Sequence, residues 1–271
     1  MKVIQGFDRA GERVVALGTF DGVHRGHRTL LARAKAEAEA RNCPLRVYTF
    51  DRHPLEVIAP SHAPEILTTI PEKAERMALL GVDEMQIVHF SRETASMPPE
   101  EFLRTLRQQI KVLALAAGWN YTFGRNAAGS ADTLRKDGER YGYQVLIEDA
   151  KMLGGKPVSS SRVREALRKG DINTANELLL VPYTLTGTVV AGGQEEGDEG
   201  VLYLRAGEKK MLPAPGDYPC ILHHRDGYGF ATAFTGPGEE RILRLRLQFP
   251  FCPVAAGDKI RLTMMEKASG K

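Results

Sequence analysis

From residue 14 to about 150, short apolar runs alternate with amphipathic stretches. VVALGTF (14–20) predicts a buried strand, and HRTLLARAKAEAEARN (27–42) predicts a helix with Leu30, Leu31, Ala34 and Ala38 on one face. LRVYTF (45–50) is a second predicted strand. Thr69 followed three residues later by Glu72 reads as a capping box, opening a helix that stops at Gly81. MQIVHF (85–90), VLALAAG (112–118) and YQVLIED (143–149) predict further strands, separated by helices over PPEEFLRTLRQQ (98–109) and near 130–142. Strands that alternate with helices imply an α/β fold with a parallel sheet covered on both faces. Ligands of such sheets bind beyond the carboxyl ends of the strands.

Two further helices, SSRVREALRKG (160–170) and DINTANELLL (171–180), close this region. After Val181-Pro182-Tyr183 the period changes from helical to alternating. TLTGTVVAG, VLYLRAG, YPCILHHRDG, YGFATAFTG, RILRLRLQF and DKIRLTMM are short, β-rich and broken by Gly and Pro, which predicts a small antiparallel barrel or sandwich. Two domains are therefore expected, 1–183 and 184–271. EEGDE (195–199) reads as a solvated acidic turn.

Composition narrows the class. The three cysteines, Cys43, Cys220 and Cys252, form no C-x-x-C pair, which argues against a zinc site or a disulfide framework and fits a reducing cytoplasm. No run approaches a signal peptide or a membrane span. A net charge of +3 suits phosphorylated small molecules and is too weak to argue for nucleic acid.

The chemistry gathers in GTFDGVHRGH (18–27), which follows the first long strand and opens a helix. Gly18, Gly22 and Gly26 allow a tight turn that turns backbone N–H groups and a positive helix end toward one point, where anionic oxygens are favoured. His24 and His27 add two side-chain donors. Three readings stand: a polyphosphate cradle, a metal site using the histidines with Asp21, or histidines that only cap and pack. The stretch is neither a dinucleotide fingerprint nor a Walker loop, and Gly154-Gly155-Lys156 runs into Pro157 with the wrong spacing for one.

Asp21-Gly22-Val23-His24-Arg25-Gly26-His27 resembles the H-x-G-H signature of the nucleotidyltransferase superfamily, and the longer form resembles the adenylyltransferase half of the bacterial bifunctional riboflavin kinase/FAD synthetases. TFDRHP (49–54) is similar to that family's T-F-x-P-H-P, WNYTFGRNAAG (119–129) to its flavin-site segment, and VSSSRVREAL (158–167) to its I-S-S-T-R-I-R segment. The resemblance covers about 14–183, with four motifs in order. It implies a Rossmann-like nucleotidyltransferase domain followed by a β-barrel. The implied reaction joins ATP, with Mg²⁺, and FMN to give FAD and pyrophosphate, by direct attack of the FMN phosphate on the α-phosphorus. On this resemblance His24, His27 and Arg162 are catalytic. Gly18, Thr19, Phe20, Asp21, Gly22, Gly26, Ser160 and Ser161 bind ATP, while His53, Pro54, Asn120, Tyr121 and Phe123 bind flavin. No metal ligand on the chain is assigned.

Each residue alone has a plainer reading: Ser-Ser-Ser as a helix cap, Arg162 as a surface charge, Tyr121 and Phe123 as core, His53 and Pro54 as the end of a strand. Arg52 stands where the family motif has its first proline. In the second domain TLTGTVVAGGQ (184–194), LPAPGDY (212–218) and LRLRLQF (243–249) resemble strands of the family's kinase barrel, but the P-T-A-N loop that binds ATP and metal is missing. Leu243 stands where the family has its glutamate base, and Gln248 replaces an aspartate. A kinase inactive in its barrel is expected, with three roles left to that barrel: bracing the first domain, self-association, or binding flavin without turnover. Three other readings of the whole chain compete: a bifunctional kinase/synthetase, a nucleotidyltransferase for another phosphorylated acceptor such as a pantetheine or nicotinate nucleotide, against which TFDRHP and WNYTFG weigh, and a flavin- or nucleotide-binding pseudoenzyme that regulates.

Overall fold

The computed structural model describes the chain except for residues 7, 180, 194–199, 237–240, 249–253 and 267–271. The acidic turn at 195–199 and Cys252 lie outside the described residues. Contacts divide the chain into two compact units, Met1–Val158 and Ser159–Lys271.

The first unit alternates as its apolar periodicity predicts: β1 Lys2–Gln5, β2 Ala10–Leu17, α1 Arg25–Ala40, β3 Leu45–Phe50, α2 Leu55–Ile58, α3 Ile70–Leu79, β4 Glu84–Val88, α4 Arg92–Ser96, α5 Pro99–Gln109, β5 Ile110–Gly118, α6 Ala131–Tyr141 and β6 Gln144–Glu148. A two-stranded hairpin, β7 Met152–Leu153 and β8 Lys156–Pro157, follows, turning on Gly154 and Gly155. The main sheet is parallel throughout, in the order β1-β4-β3-β2-β5-β6. Burial on both faces explains the near-continuous apolar strands. Val14 and Ala16 of β2 face Leu30, Leu31, Ala34 and Ala38 of α1, whereas Val15 and Leu17 face Phe102, Leu103 and Leu106 of α5. The predicted capping box is present: Thr69 accepts from the Glu72 N–H and Glu72 accepts from the Thr69 N–H.

Successive strands run from β2 outward through β3 and β4, and the chain then returns to place β5 on the other side of β2. The switch point lies between β2 and β5, and a ligand crevice is expected outside their carboxyl ends. Both GTFDGVH and WNYTFGRNAAG leave the sheet there.

In the second unit α7 Ser160–Arg168 and α8 Ile172–Leu179 precede six strands: β9 Thr184–Gly193, β10 Val201–Ala206, β11 Gly216–His224, β12 Gly227–Thr235, β13 Ile242–Gln248 and β14 Lys259–Met264. They close into a barrel in the order β10-β13-β12-β11-β14-β9, so of the two antiparallel architectures expected, the barrel is the one formed. Both helices belong to this unit because they are tied to it: the Leu167 carbonyl accepts from Ala214 N–H, and Asn176 donates to the Met264 carbonyl while accepting from Tyr183 N–H. Strict alternation fills the barrel, with Leu243, Leu245 and Leu247 of β13 buried and Arg244, Arg246 and Gln248 exposed. Among the described residues no helix is long and apolar enough to cross a membrane.

A charged residue is embedded in the sheet. Arg46 on β3 is fully buried and donates to Glu84 at 2.7 Å, Gln86 at 3.1 Å and Asp8 at 2.8 Å. Glu84 would keep Arg13, which donates to both of its oxygens, while Asp8 and Gln86 would lose their charged donor, so Arg46→Met should lower stability by about 2 kcal/mol, read as a fall in the urea unfolding midpoint of the full chain.

Candidate active site

β2 stops at Leu17, so the residues from Gly18 to His24 form a loop and α1 begins at Arg25. The loop is folded inward. Phe20, Asp21, Gly22, Val23 and His24 are all buried. Phe20 and Val23 adopt positive φ, +51° and +46°, and Gly22 does so at +84°. A left-handed β-branched residue costs on the order of 1–3 kcal/mol and persists only where its surroundings over-determine it.

Those surroundings come from α3 and the segment before it. Both carboxylate oxygens of Asp21 accept from Leu67 N–H at 3.0 Å, and one also accepts from Thr68 N–H at 2.9 Å and Thr68 Oγ1 at 3.0 Å. Thr68 Oγ1 in turn accepts from Gly22 N–H at 3.0 Å. Arg76 donates to the Gly22 carbonyl at 3.0 Å, and Lys73 donates to the Thr19 carbonyl at 2.6 Å. Thr49, the first residue of TFDRHP, also donates to Thr19 O at 3.1 Å.

The two histidines meet at the amino end of α1. His24 is the N-cap, its Nδ1 accepting from His27 N–H at 3.3 Å. An imidazole that is neutral and accepts at Nδ1 carries its proton on Nε2. The rings are stacked, 3.6 Å between centroids and 14° between planes, and the Phe20 ring meets His27 edge-on at 5.2 Å. At Gly26 a Cβ would come within 3.3 Å of the His24 ring, so the H-x-G-H glycine keeps room for it. Burial pushes His24 down to about 4 against the opposing charge of Asp21. Burial, then His24, then Lys73 hold His27 well below the usual histidine range. Both are neutral at pH 7. His27 Nδ1 is buried with no hydrogen-bond partner among the described residues. No acidic side chain lies in the first turn of α1, and the carboxylate that acts on its N-cap, Asp21, is engaged by backbone donors.

The other predicted residues of the first unit follow the carboxyl ends of β3 and β5. His53 follows β3 and caps the short turn with its Nδ1, which accepts from Leu55 N–H, while Pro54 is the N-cap of α2. Arg52 pairs with Asp51 at 3.2 Å, and Asp51 also accepts from His89 and from Phe90 N–H. After β5, Asn120 is exposed. Tyr121 stacks on Phe123, and Phe123 is buried against Phe102. Ser160, Ser161 and Arg162 lie at the start of α7 in the second unit, where Ser159 is the cap, accepting from Arg162 N–H at 3.3 Å. Sequence reasoning missed Lys73, Arg76 and Thr68. No motif marks them, because their partners lie about fifty residues away along the chain.

The metal reading weakens on this geometry. Asp21 is occupied by backbone donors, and among the described residues no group of three or more His, Cys, Asp or Glu side chains is arranged to hold a metal ion. What remains is a loop and a helix end that carry two uncharged imidazoles. The FAD synthetase family profile matches residues 7–162.

The chain belongs to the FAD synthetase family.

Among family members, a bifunctional riboflavin kinase/FMN adenylyltransferase of Listeria monocytogenes is 34% identical over 211 residues, 76% of this chain and 66% of the relative. One of Escherichia coli K12 is 36% identical over 200 residues, 72% of this chain and 64% of the relative. The chain thus spans about two thirds of the length of the curated relatives it matches. A crystal structure described as a macrolide-efflux protein from Streptococcus pneumoniae superposes with a TM-score of 0.86, covering 100% of this chain and 94% of its own. Its sequence is 24% identical, and the likeness is one of fold.

The buried imidazole has a pH signature. Unfolded, His24 binds its proton near 6.5; folded, it does so at about 4. Between those values the unfolded chain holds more protons, so stability falls as pH drops from 6.5 toward 4, by on the order of 3 kcal/mol from this group. In His24→Asn, which retains an N-cap acceptor, this part of the slope should vanish when unfolding free energies are measured across that window.

Proposed function

We propose that this chain is an FMN adenylyltransferase: AMP passes from ATP to FMN, giving FAD and pyrophosphate, in a transferase domain over 1–183, while the barrel over 184–271 has no working riboflavin kinase site. The observation that carries the reading is the neutral, stacked His24–His27 pair at the amino end of α1, beside the switch point of the parallel sheet.

An FMN phosphate oxygen attacks the α-phosphorus of ATP, the bond from that phosphorus to the bridging oxygen breaks, and pyrophosphate leaves with the electron pair. No protein nucleophile takes part, so the work is positioning and charge stabilisation. The loop Gly18–Gly22 and Gly26 line the phosphates. His24, with Nδ1 engaged by His27 N–H, offers an Nε2–H donor, and His27 offers a second imidazole beside it. Fixed donors in a water-poor site stabilise developing charge without reorganising. Mg²⁺ arrives bound to ATP as part of the substrate. Arg162, with Ser160 and Ser161, keeps its assignment to the phosphates on the family resemblance, since a guanidinium binds oxyanions bidentately. His53, Pro54, Asn120, Tyr121 and Phe123 keep theirs to the flavin. FMN, ATP and FAD are thus the small-molecule partners, and the free thiols Cys43 and Cys220 suit a reducing cytoplasm.

The inactive barrel is supported by β13. Leu243, at the position of the family's base, is buried among Leu245 and Leu247, so this strand turns only aliphatic side chains inward. Phosphoryl transfer needs a group to accept the substrate hydroxyl proton.

Two turnover assays with ATP and Mg²⁺, one given riboflavin and the other FMN, test both halves. FAD from FMN with riboflavin untouched is expected. FAD from riboflavin would overturn the barrel assignment, and no product in either assay would overturn the transferase. In the active assay His27→Ala should lower kcat by ~10²–10³.

A further inference from the structure

Helix α3 buries an ammonium group that the transfer step does not use. Lys73 lies in a helix of alternating charges, yet it is only 6% exposed. Its Nζ donates to the Thr19 carbonyl at 2.6 Å and lies 3.5 Å from Thr49 Oγ1. Thr19 O therefore receives two donors, one from α3 and one from β3, at the residue before Phe20 enters the left-handed region. Phe20 is fully buried with its ring edge-on to His27, and His27 is stacked on His24. A continuous chain of contacts thus runs from Lys73 Nζ through Thr19 O and Phe20 to the imidazole pair.

We propose that Lys73 is a positioning residue for the histidine pair, fixing His27 against His24 through the Thr19 carbonyl and the Phe20 ring. The proposal rests on the adenylyltransferase reading for its effect on turnover, though not for the coupling itself. Two physical effects combine. The short, charge-assisted bond holds the loop in a conformation it would otherwise leave. The ammonium also opposes a second positive charge on His27, keeping that ring an uncharged donor and acceptor. The charged and titratable groups around this unit are His24 and Lys73 beside His27, Asp21 beside both His24 and Lys73, and Arg76 on the Gly22 carbonyl. Asp21 offsets part of the burial that lowers Lys73 to about 8. Lysine suits this place because its compact head ends a long apolar stem that packs inside the fold.

A lysine that served stability alone would, when replaced, lower the melting temperature and leave the properties of the folded enzyme unchanged. A positioning lysine changes them. In the full-length chain, Lys73→Met is expected to lower kcat for FAD synthesis by roughly 10- to 100-fold, with KM for FMN within about threefold of wild type. The nitrogen-15 NMR titration of the His27 ring, assigned by comparison with His27→Ala, should show its midpoint moved upward. An unchanged kcat and an unchanged His27 midpoint in a folded Lys73→Met protein would overturn the proposal. Should that variant not fold, the wild type decides. The His27 ring signals should show a second step as Lys73 loses its proton near about 8, and their failure to respond overturns the coupling. If wild-type protein makes no FAD from FMN, the adenylyltransferase reading falls, and the NMR titration alone decides whether Lys73 sets the state of His27.

Discussion

A loop that holds Phe20 and Val23 in the left-handed region, with a glycine between them, stays folded only while something outside it supplies more than the strain costs. Here that support is a buried carboxylate. Asp21 turns into the protein, takes the backbone N–H groups of Leu67 and Thr68, and so joins the loop after β2 to the residues that open α3. Lys73 and Arg76 on α3 then collect the loop's carbonyls. Once these are tied, His24 can cap α1 and His27 can stack on it, and the sheet brings the pair to its carboxyl edge. The geometry of the histidine pair thus depends on a helix that itself carries none of the residues proposed for ATP or FMN.

The same arrangement explains why polar groups at the site are inside the protein rather than in water. Burying two imidazoles, a carboxylate and an ammonium is unfavourable unless each is bonded or discharged. Asp21 is bonded by backbone donors, Lys73 by a carbonyl, and the histidines remain neutral because burial, together with neighbouring charge at His27, disfavours their protonated forms. His27 Nδ1 is the exception, a buried nitrogen without a partner among the described residues. Such an atom is tolerated where function has a use for it.

Much of this was readable along the chain. The capping box at Thr69 and Glu72, the apolar face of α1 and the six short strands of the second half all follow from local rules that the folded protein obeys. The motif loop stood out by its glycines and histidines at fixed spacing, and the resemblance to a known signature chose among the three uses those residues allow. Lys73 was not. In IPEKAERMAL it has the same sequence appearance as its charged neighbours, and its burial depends on a carbonyl in another element. Asp21 was legible as a site residue, but not as the link to Leu67 and Thr68. The short edge strand β1 was missed because KVIQ is too brief to show a period, and the attachment of α7 and α8 to the second unit rests on contacts such as Asn176 with Met264, which no local pattern encodes.

The aliphatic inner face of β13 also limits what the barrel can accept. Leu243 is completely enclosed, with Leu245 and Leu247 in line beside it. A glutamate introduced there would be an unpaired carboxylate inside a filled barrel, and a core packed to normal density has no water waiting to receive it. A single substitution placing a carboxylate at Leu243 would therefore cost the second unit much of its stability before it could offer any chemistry.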